Sequence, residues 1–178
     1  MAGSHGDERA WIRGAQRGSR ADLESLFRHH WPRAYRAAYL VVHDSAAAED
    51  IAQEAFLAAL RALDHFDRRR PFGPWLHRIV VNRAIDWSRA RALRREVGER
   101  PLTLVAAPDR HDNPHAHALA SALSELSPEH RAVIVLRHLL EYTPGEIAEL
   151  LGLPRGTVNS RLRRGLDELA HNVEKEVR

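Results

Sequence analysis

Thr143-Pro-Gly-Glu-Ile-Ala-Glu-Leu-Leu-Gly-Leu-Pro-Arg-Gly-Thr-Val-Asn-Ser-Arg-Leu-Arg-Arg164 reads as two short helices joined by a tight turn. Thr143 suits an N-cap, Pro144 the first helical position, and Glu146 the far side of a capping box. Gly152 can end that helix in a left-handed conformation. Leu153 and Pro154 then start the next helix after a gap short enough for a helix-turn-helix. On the second helix Val158, Leu162, Leu166 and Leu169 share one face at three- and four-residue spacing. Thr157, Asn159, Ser160, Arg163 and Arg164 lie opposite, with Arg155 at the helix start, where side chains would meet a major groove. Arginine can pair with a guanine edge, asparagine with adenine, and serine or threonine with a base or a phosphate. A solvated basic helix would show the same face, but it does not require the cap and turn as well. The three together predict DNA binding.

The 178 residues suffice for one or two small domains, and 44% hydrophobic with 29% charged residues suits a globular chain. No apolar run reaches membrane-spanning length and no signal-peptide core opens the chain, so a cytoplasmic protein without a membrane association is expected. The chain has no cysteine, which excludes disulfides, thiol catalysis and cysteine-ligated zinc. Net charge is only +3, so the distribution of charge matters more than its sum. From Asp44 to Asp67 six carboxylates face Arg61 alone; from Arg68 to Arg100 ten arginines face Asp86, Glu96 and Glu99. An acidic segment followed by a basic one predicts two different partners, the second a polyanion.

The pattern is helical throughout, with no convincing period-two strand. A first helix is expected over Glu8–Arg17 with Trp11 packed inward. A second runs from Ala21 to Val42, interrupted and bent at Pro32. Asp44 or Ser45 caps a third that ends near His65. A fourth starts at Pro74 and reaches Leu93. Periodicity then disappears from Arg94 to Pro114, which reads as a linker. Ser127-Pro128-Glu129 opens a further helix that includes Val133–Tyr142. The expectation is an all-α protein: a domain over 1–93, a mobile tether over 94–114, and a helix-turn-helix domain over 115–178, with no fused regulatory domain after it.

On the third helix Asp50, Gln53, Glu54, Leu57 and Arg61 fall on one side, while Ala52, Ala55, Phe56, Ala59 and Leu63 face the core. Two carboxylates, an amide and an exposed leucine suit docking to a basic partner helix, although most such charged faces are merely solvated. Arg68-Arg69-Arg70, with Phe72 and Trp75, puts cations beside two aromatic rings just before a helix N-terminus. Cations attract phosphates and ring faces can stack on exposed bases; the rings can equally clamp the loop from the core. Asn82, Arg83, Arg89 and Arg91 extend that polar surface. His111, His115 and His117 do not share a helix face, and His29 and His30 read as surface or partly packed residues. No metal-ligand cluster, nucleophile–base arrangement or phosphate loop is present, so no catalysis and no cofactor are expected.

Glu49-Asp-Ile-Ala-Gln-Glu-Ala-Phe56, Pro74-Trp-Leu-His-Arg-Ile-Val-Val-Asn-Arg-Ala-Ile-Asp86 and the Leu126–Leu169 segment, in this order and spacing, resemble a bacterial extracytoplasmic-function sigma factor. The resemblance covers nearly all of the chain outside the N-terminal residues and the linker, and three ordered motifs make it specific. It implies that the first domain is similar to sigma region 2 and the last to region 4. It assigns binding of core RNA polymerase, at the β′ clamp coiled coil, to Asp50, Gln53, Glu54 and Leu57, with the β flap as a second contact. It implies that Arg68, Arg69, Arg70, Phe72, Trp75, Asn82, Arg83 and Arg89 engage the −10 element of promoter DNA and capture a flipped base. It gives the −35 element to Arg155, Thr157, Asn159, Ser160, Arg163 and Arg164, and it implies control by a separate anti-sigma factor. Two rivals remain at this point. A conventional helix-turn-helix regulator leaves the acidic face without a role, and a nucleic-acid enzyme lacks a catalytic constellation.

Overall fold

In the computed structural model, residues 4–96 and 114–176 are described, and all their regular structure is helical. Four helices precede the gap: α1 (Ser4–Ala15), α2 (Arg20–Val42), α3 (Ser45–Arg61) and α4 (Phe72–Glu96). Four follow it: α5 (Pro114–Ser124), α6 (Pro128–Ile134), α7 (Pro144–Leu151) and α8 (Arg155–Glu176). Short polar side chains set where helices begin. Ser19, Asp44 and Ser127 accept hydrogen bonds from the backbone N–H groups of Asp22, Ala47 and His130, respectively.

α2 is the spine of the N-terminal body, packing against α1, α3 and α4. Its inner face is built of Ala34, Ala37, Ala38 and Val41, none of them measurably exposed, and α3 answers with Ala48, Ala52, Ala55 and Ala59. Such small residues let the backbones approach closely. Larger side chains, led by Phe72, Leu76, Val80 and Val81 of α4, complete the core.

Several boundaries differ from the expectation. α1 starts earlier and ends at Ala15. α2 is not interrupted at Pro32. Pro32 and Arg28 are both exposed, so the backbone bond that proline removes lies on the outer side of the helix. α4 begins at Phe72, two residues before Pro74. The segment expected as one helix through Tyr142 divides into α6 and a wider π turn over Val135–Leu139, where the Leu140 N–H reaches the Val135 carbonyl at 3.1 Å. Glu141 then adopts φ 62°, a left-handed position that reverses the chain before α7. His30 is buried rather than on the surface, hydrogen-bonded through Nε2 to Oε1 of Glu8 at 3.0 Å. The expected linker falls almost wholly outside the described residues, as does His111.

The two helical groups are in contact. α6, the π turn and α7 lie against α2 and α4, and one hydrophobic cluster runs through both groups, from Leu76 and Val80 to Leu136, Ile147 and Leu150.

Candidate functional site

On α3, alternate faces separate as the helical period dictates. Ile51, Ala52, Ala55, Phe56 and Ala59 are buried, whereas Asp50, Gln53, Glu54, Leu57 and Arg61 are exposed. Leu57 is 51% exposed, a large apolar side chain set among charges, as a docking face requires. Gln53 donates to Glu49 at 3.3 Å, and Glu54 accepts from Arg83 of α4 at 2.6 Å. Sequence reasoning missed Phe27, which is 40% exposed and packs against Trp31 and Phe56. With Leu23 and Leu60 it lines an apolar cleft of about 300 Å³ between α2 and α3. The four-residue spacing of Leu23 and Phe27 was the available signal.

The arginine loop is tied at its base by Asp67, whose carboxylate accepts from the Arg69 N–H at 3.0 Å. Arg68, Arg69 and Arg70 are exposed. α1 brings Arg9 and Arg13 beside them, five guanidinium groups bordering one region, which nothing local in the sequence announces. Phe72 requires a correction: at 1% exposure its ring is core, against His30, Phe66 and Trp75, and cannot meet a base in this arrangement. Trp75 is half-buried, its ring 4.6 Å from that of Phe66. Asn82 and Arg83 are also half-buried; Arg89 is exposed.

The helix-turn-helix forms as its residues require. Thr143 and Glu146 complete the capping box, the Thr143 N–H donating to Glu146 at 2.7 Å. Those bonds hold the Glu146 carboxyl below its ordinary range. Gly152 ends α7 at φ 65°. On α8, Val158 is fully buried and Leu162 and Leu169 are half-buried, but Leu166 is 39% exposed. The buried position there is Gly165, where a Cβ would come within 3.0 Å of Ile134 and 3.1 Å of His130. Arg155, Asn159, Arg163 and Arg164 are exposed; Thr157 and Ser160 are half-buried, with the Ser160 hydroxyl donating to the Thr157 carbonyl at 3.2 Å.

Two polar contacts join the helical groups. His77 Nδ1 lies 2.7 Å from the Tyr142 hydroxyl. Burial, assisted by the charges of His30 and Arg33, pulls the His77 imidazole down to about 4, and burial pushes the Tyr142 phenol up, so both are neutral near pH 7. Arg89 pairs with Glu129 at 2.7 Å. Burial, the largest single influence, would raise the Glu129 carboxyl, but the Arg89 hydrogen bond, a backbone hydrogen bond and the charges of Arg89 and Arg161 together hold it below its ordinary range. Arg89 is 58% exposed, so this pair is worth less than about 1 kcal/mol. The buried His77–Tyr142 bond therefore matters more. Among the described residues no group of three or more His, Asp or Glu could hold a metal, and no helix is long and apolar enough to cross a membrane.

Residues 26–94 match the Sigma-70 region 2 family and residues 116–169 the Sigma-70 region 4 family. The chain is 33% identical to the RNA polymerase sigma factor CarQ of Myxococcus xanthus over 90% of its own length and 95% of that protein's. It is 33% identical to the ECF RNA polymerase sigma factor SigW of Bacillus subtilis, covering 84% of this chain and 86% of the relative. The ECF RNA polymerase sigma factor SigE of Mycolicibacterium smegmatis is 35% identical over 85% of this chain, which spans only 62% of that relative's length. Among solved structures, CnrH in complex with the cytosolic domain of CnrY superposes with a TM-score of 0.71 at 29% identity, covering 95% of this chain and 98% of that one. The sigma factor RpoE of Bartonella quintana, at 23% identity and a TM-score of 0.72 over 86% of this chain and 97% of that one, shares the fold. The chain belongs to the extracytoplasmic-function RNA polymerase sigma factors, which direct promoter-specific initiation of transcription and are not enzymes.

Proposed function

We propose that this chain engages core RNA polymerase through Asp50, Gln53, Glu54 and Leu57, the β′ clamp coiled coil being the partner. The observation that supports this is a single α3 face presenting two carboxylates, an amide and a half-exposed leucine beside an apolar cleft. Arg68, Arg69, Arg70, Trp75, Asn82, Arg83 and Arg89 then contact the −10 element; Phe72, being core, is left out. Cations supply phosphate affinity there, and melting draws on binding energy rather than hydrolysis. Arg155, Asn159, Arg163 and Arg164, flanked by Thr157 and Ser160, read the −35 duplex, with the β flap supporting the C-terminal domain. Residues 1–93 and 115–178 act as the two promoter-binding units and 94–114 as their connection. A separate anti-sigma factor covers the polymerase-binding surface in the cytoplasm; a similar protein, CnrH, is known in complex with the cytosolic domain of another protein.

The decisive experiment is run-off transcription with core polymerase, comparing the wild type with the double variant Asp50→Lys/Glu54→Lys. Holoenzyme formation is expected to weaken by on the order of 100-fold, since two charges at a desolvated contact are reversed. Both residues are exposed, so circular dichroism should show an intact fold. Undiminished core binding by the double variant removes the α3 assignment.

A further inference from the structure

Among the described residues, four of the five buried side-chain nitrogen and oxygen atoms without a hydrogen-bond partner sit together; the fifth, His77 Nε2, lies elsewhere. The four are His43 Nε2, Ser88 Oγ, Arg91 Nε and Arg131 Nε, and all belong to residues lining one cleft of about 400 Å³. His43 follows the end of α2, α4 supplies Ser88 and Arg91, and α6 supplies Arg131, so the cleft exists only where the two helical groups meet. Trp87 and Leu126 give it apolar walls, and no carboxylate is among its described lining residues.

Arg131 is the least compensated of these groups. It is only 8% exposed, and the nearby Glu129 carboxylate is already bound to Arg89 at 2.7 Å. Arg91 differs: its Nη1 pairs with Asp44 at 2.8 Å and its guanidinium lies 4.9 Å from the Trp87 ring centre, which leaves Nε without a partner. Burial and the charge of Arg131 pull His43 down to about 4, so its ring is neutral and can donate from Nε2. A buried guanidinium without an anion is costly, and natural proteins rarely keep one without a use. Two guanidinium N–H groups, a hydroxyl and an imidazole form a donor set suited to an oxyanion. The volume exceeds a bare inorganic anion and falls in the range of small-metabolite sites.

We propose that this cleft binds the oxyanion group, phosphate or carboxylate, of a small metabolite, and that the bound anion pins α6 of the C-terminal group to α4 of the N-terminal one. Such a ligand favours the docked arrangement over any in which the groups separate, because only the docked arrangement assembles its donors. The function proposed above does not depend on it.

The test uses the full chain without polymerase. Sodium phosphate and, separately, sodium acetate are titrated at constant ionic strength against chloride, with the melting midpoint and calorimetric heat as readouts. The expected result is a saturable rise in midpoint with one of the two oxyanions; the responding salt identifies the head group. Arg131→Met, which replaces the buried cation by an apolar side chain of similar length, should match or exceed the wild-type midpoint in chloride and lose the oxyanion response. Ser88→Ala removes a single donor and should weaken binding by about tenfold, so it carries the same test if Arg131→Met fails to fold. A wild type indifferent to both salts overturns the proposal. So does an equal response in the wild type and in the folded variant, which would mean an adventitious ion only.

Discussion

The arginines of α4 and those of α8 live in different surroundings. On α4, Arg83, Arg89 and Arg91 are tied to Glu54, Glu129 and Asp44 at 2.6, 2.7 and 2.8 Å. On α8, Arg155, Arg163 and Arg164 are exposed and have no ion-pair partner among the described residues. A free, hydrated guanidinium can take a phosphate or a guanine edge for little more than its own desolvation. A paired one must first release its carboxylate. The helix-turn-helix surface is thus open to a ligand in this arrangement, whereas the −10 contact proposed along α4 would compete with ion pairs that hold the molecule together.

Acidification should have the largest effect, and it acts where the two helical groups meet. The His77 value in the folded chain lies below the ordinary imidazole value of 6.5, so its contribution to stability is complete above pH 6.5 and drains away as the pH falls toward 4. The loss amounts to about 3 kcal/mol by pH 4 and is measurable by urea denaturation across that range. In His77→Gln, which keeps a polar partner for Tyr142 but does not titrate, that part of the pH slope should vanish. Arg163→Ala tests the other side. It should weaken binding to a −35 duplex by about 1–3 kcal/mol while leaving the urea midpoint unchanged, and an unaltered footprint would remove Arg163 from the contact set. Tyr142→Phe deprives buried His77 of its bond at Nδ1 and should cost about 1–2 kcal/mol of stability without affecting duplex binding by α8. Glu129→Gln frees Arg89 and should cost less than about 1 kcal/mol, because the pair is half in water. A larger loss would show that the Arg89 contact, not the His77 one, holds the two groups.

The features that could be read in the sequence are those set by neighbours along the chain. The capping box of Thr143 and Glu146, the left-handed Gly152 and the two faces of α3 all follow from spacings of three or four residues, and they appear as expected. What could not be read depends on distant partners. His30 is buried because Glu8, on another helix, bonds to it. His77 meets Tyr142 across 65 positions, with no local signature. Phe72 looked available beside three arginines, yet a ring next to a loop is core or surface according to what packs on it, here Phe66 and Trp75. Pro32 does not interrupt α2, because it sits on the exposed side of that helix, where packing does not forbid it. Leu166 was placed by periodicity alone, and the close approach of α6 to Gly165 displaced it outward.

That close approach makes Gly165 a fulcrum. Ten residues separate it from Arg155, about 15 Å of rigid helix at 1.5 Å per residue. A methyl at Gly165 meets Cδ1 of Ile134 and Cβ of His130, which must give by a few tenths of an ångström; where they hold firm, the displacement of α8 is magnified along that arm toward its leading side chains. Gly165, on the buried face of α8, thus bears on the aim of the side chains proposed to read the −35 duplex, and their placement depends partly on the absence of a side chain.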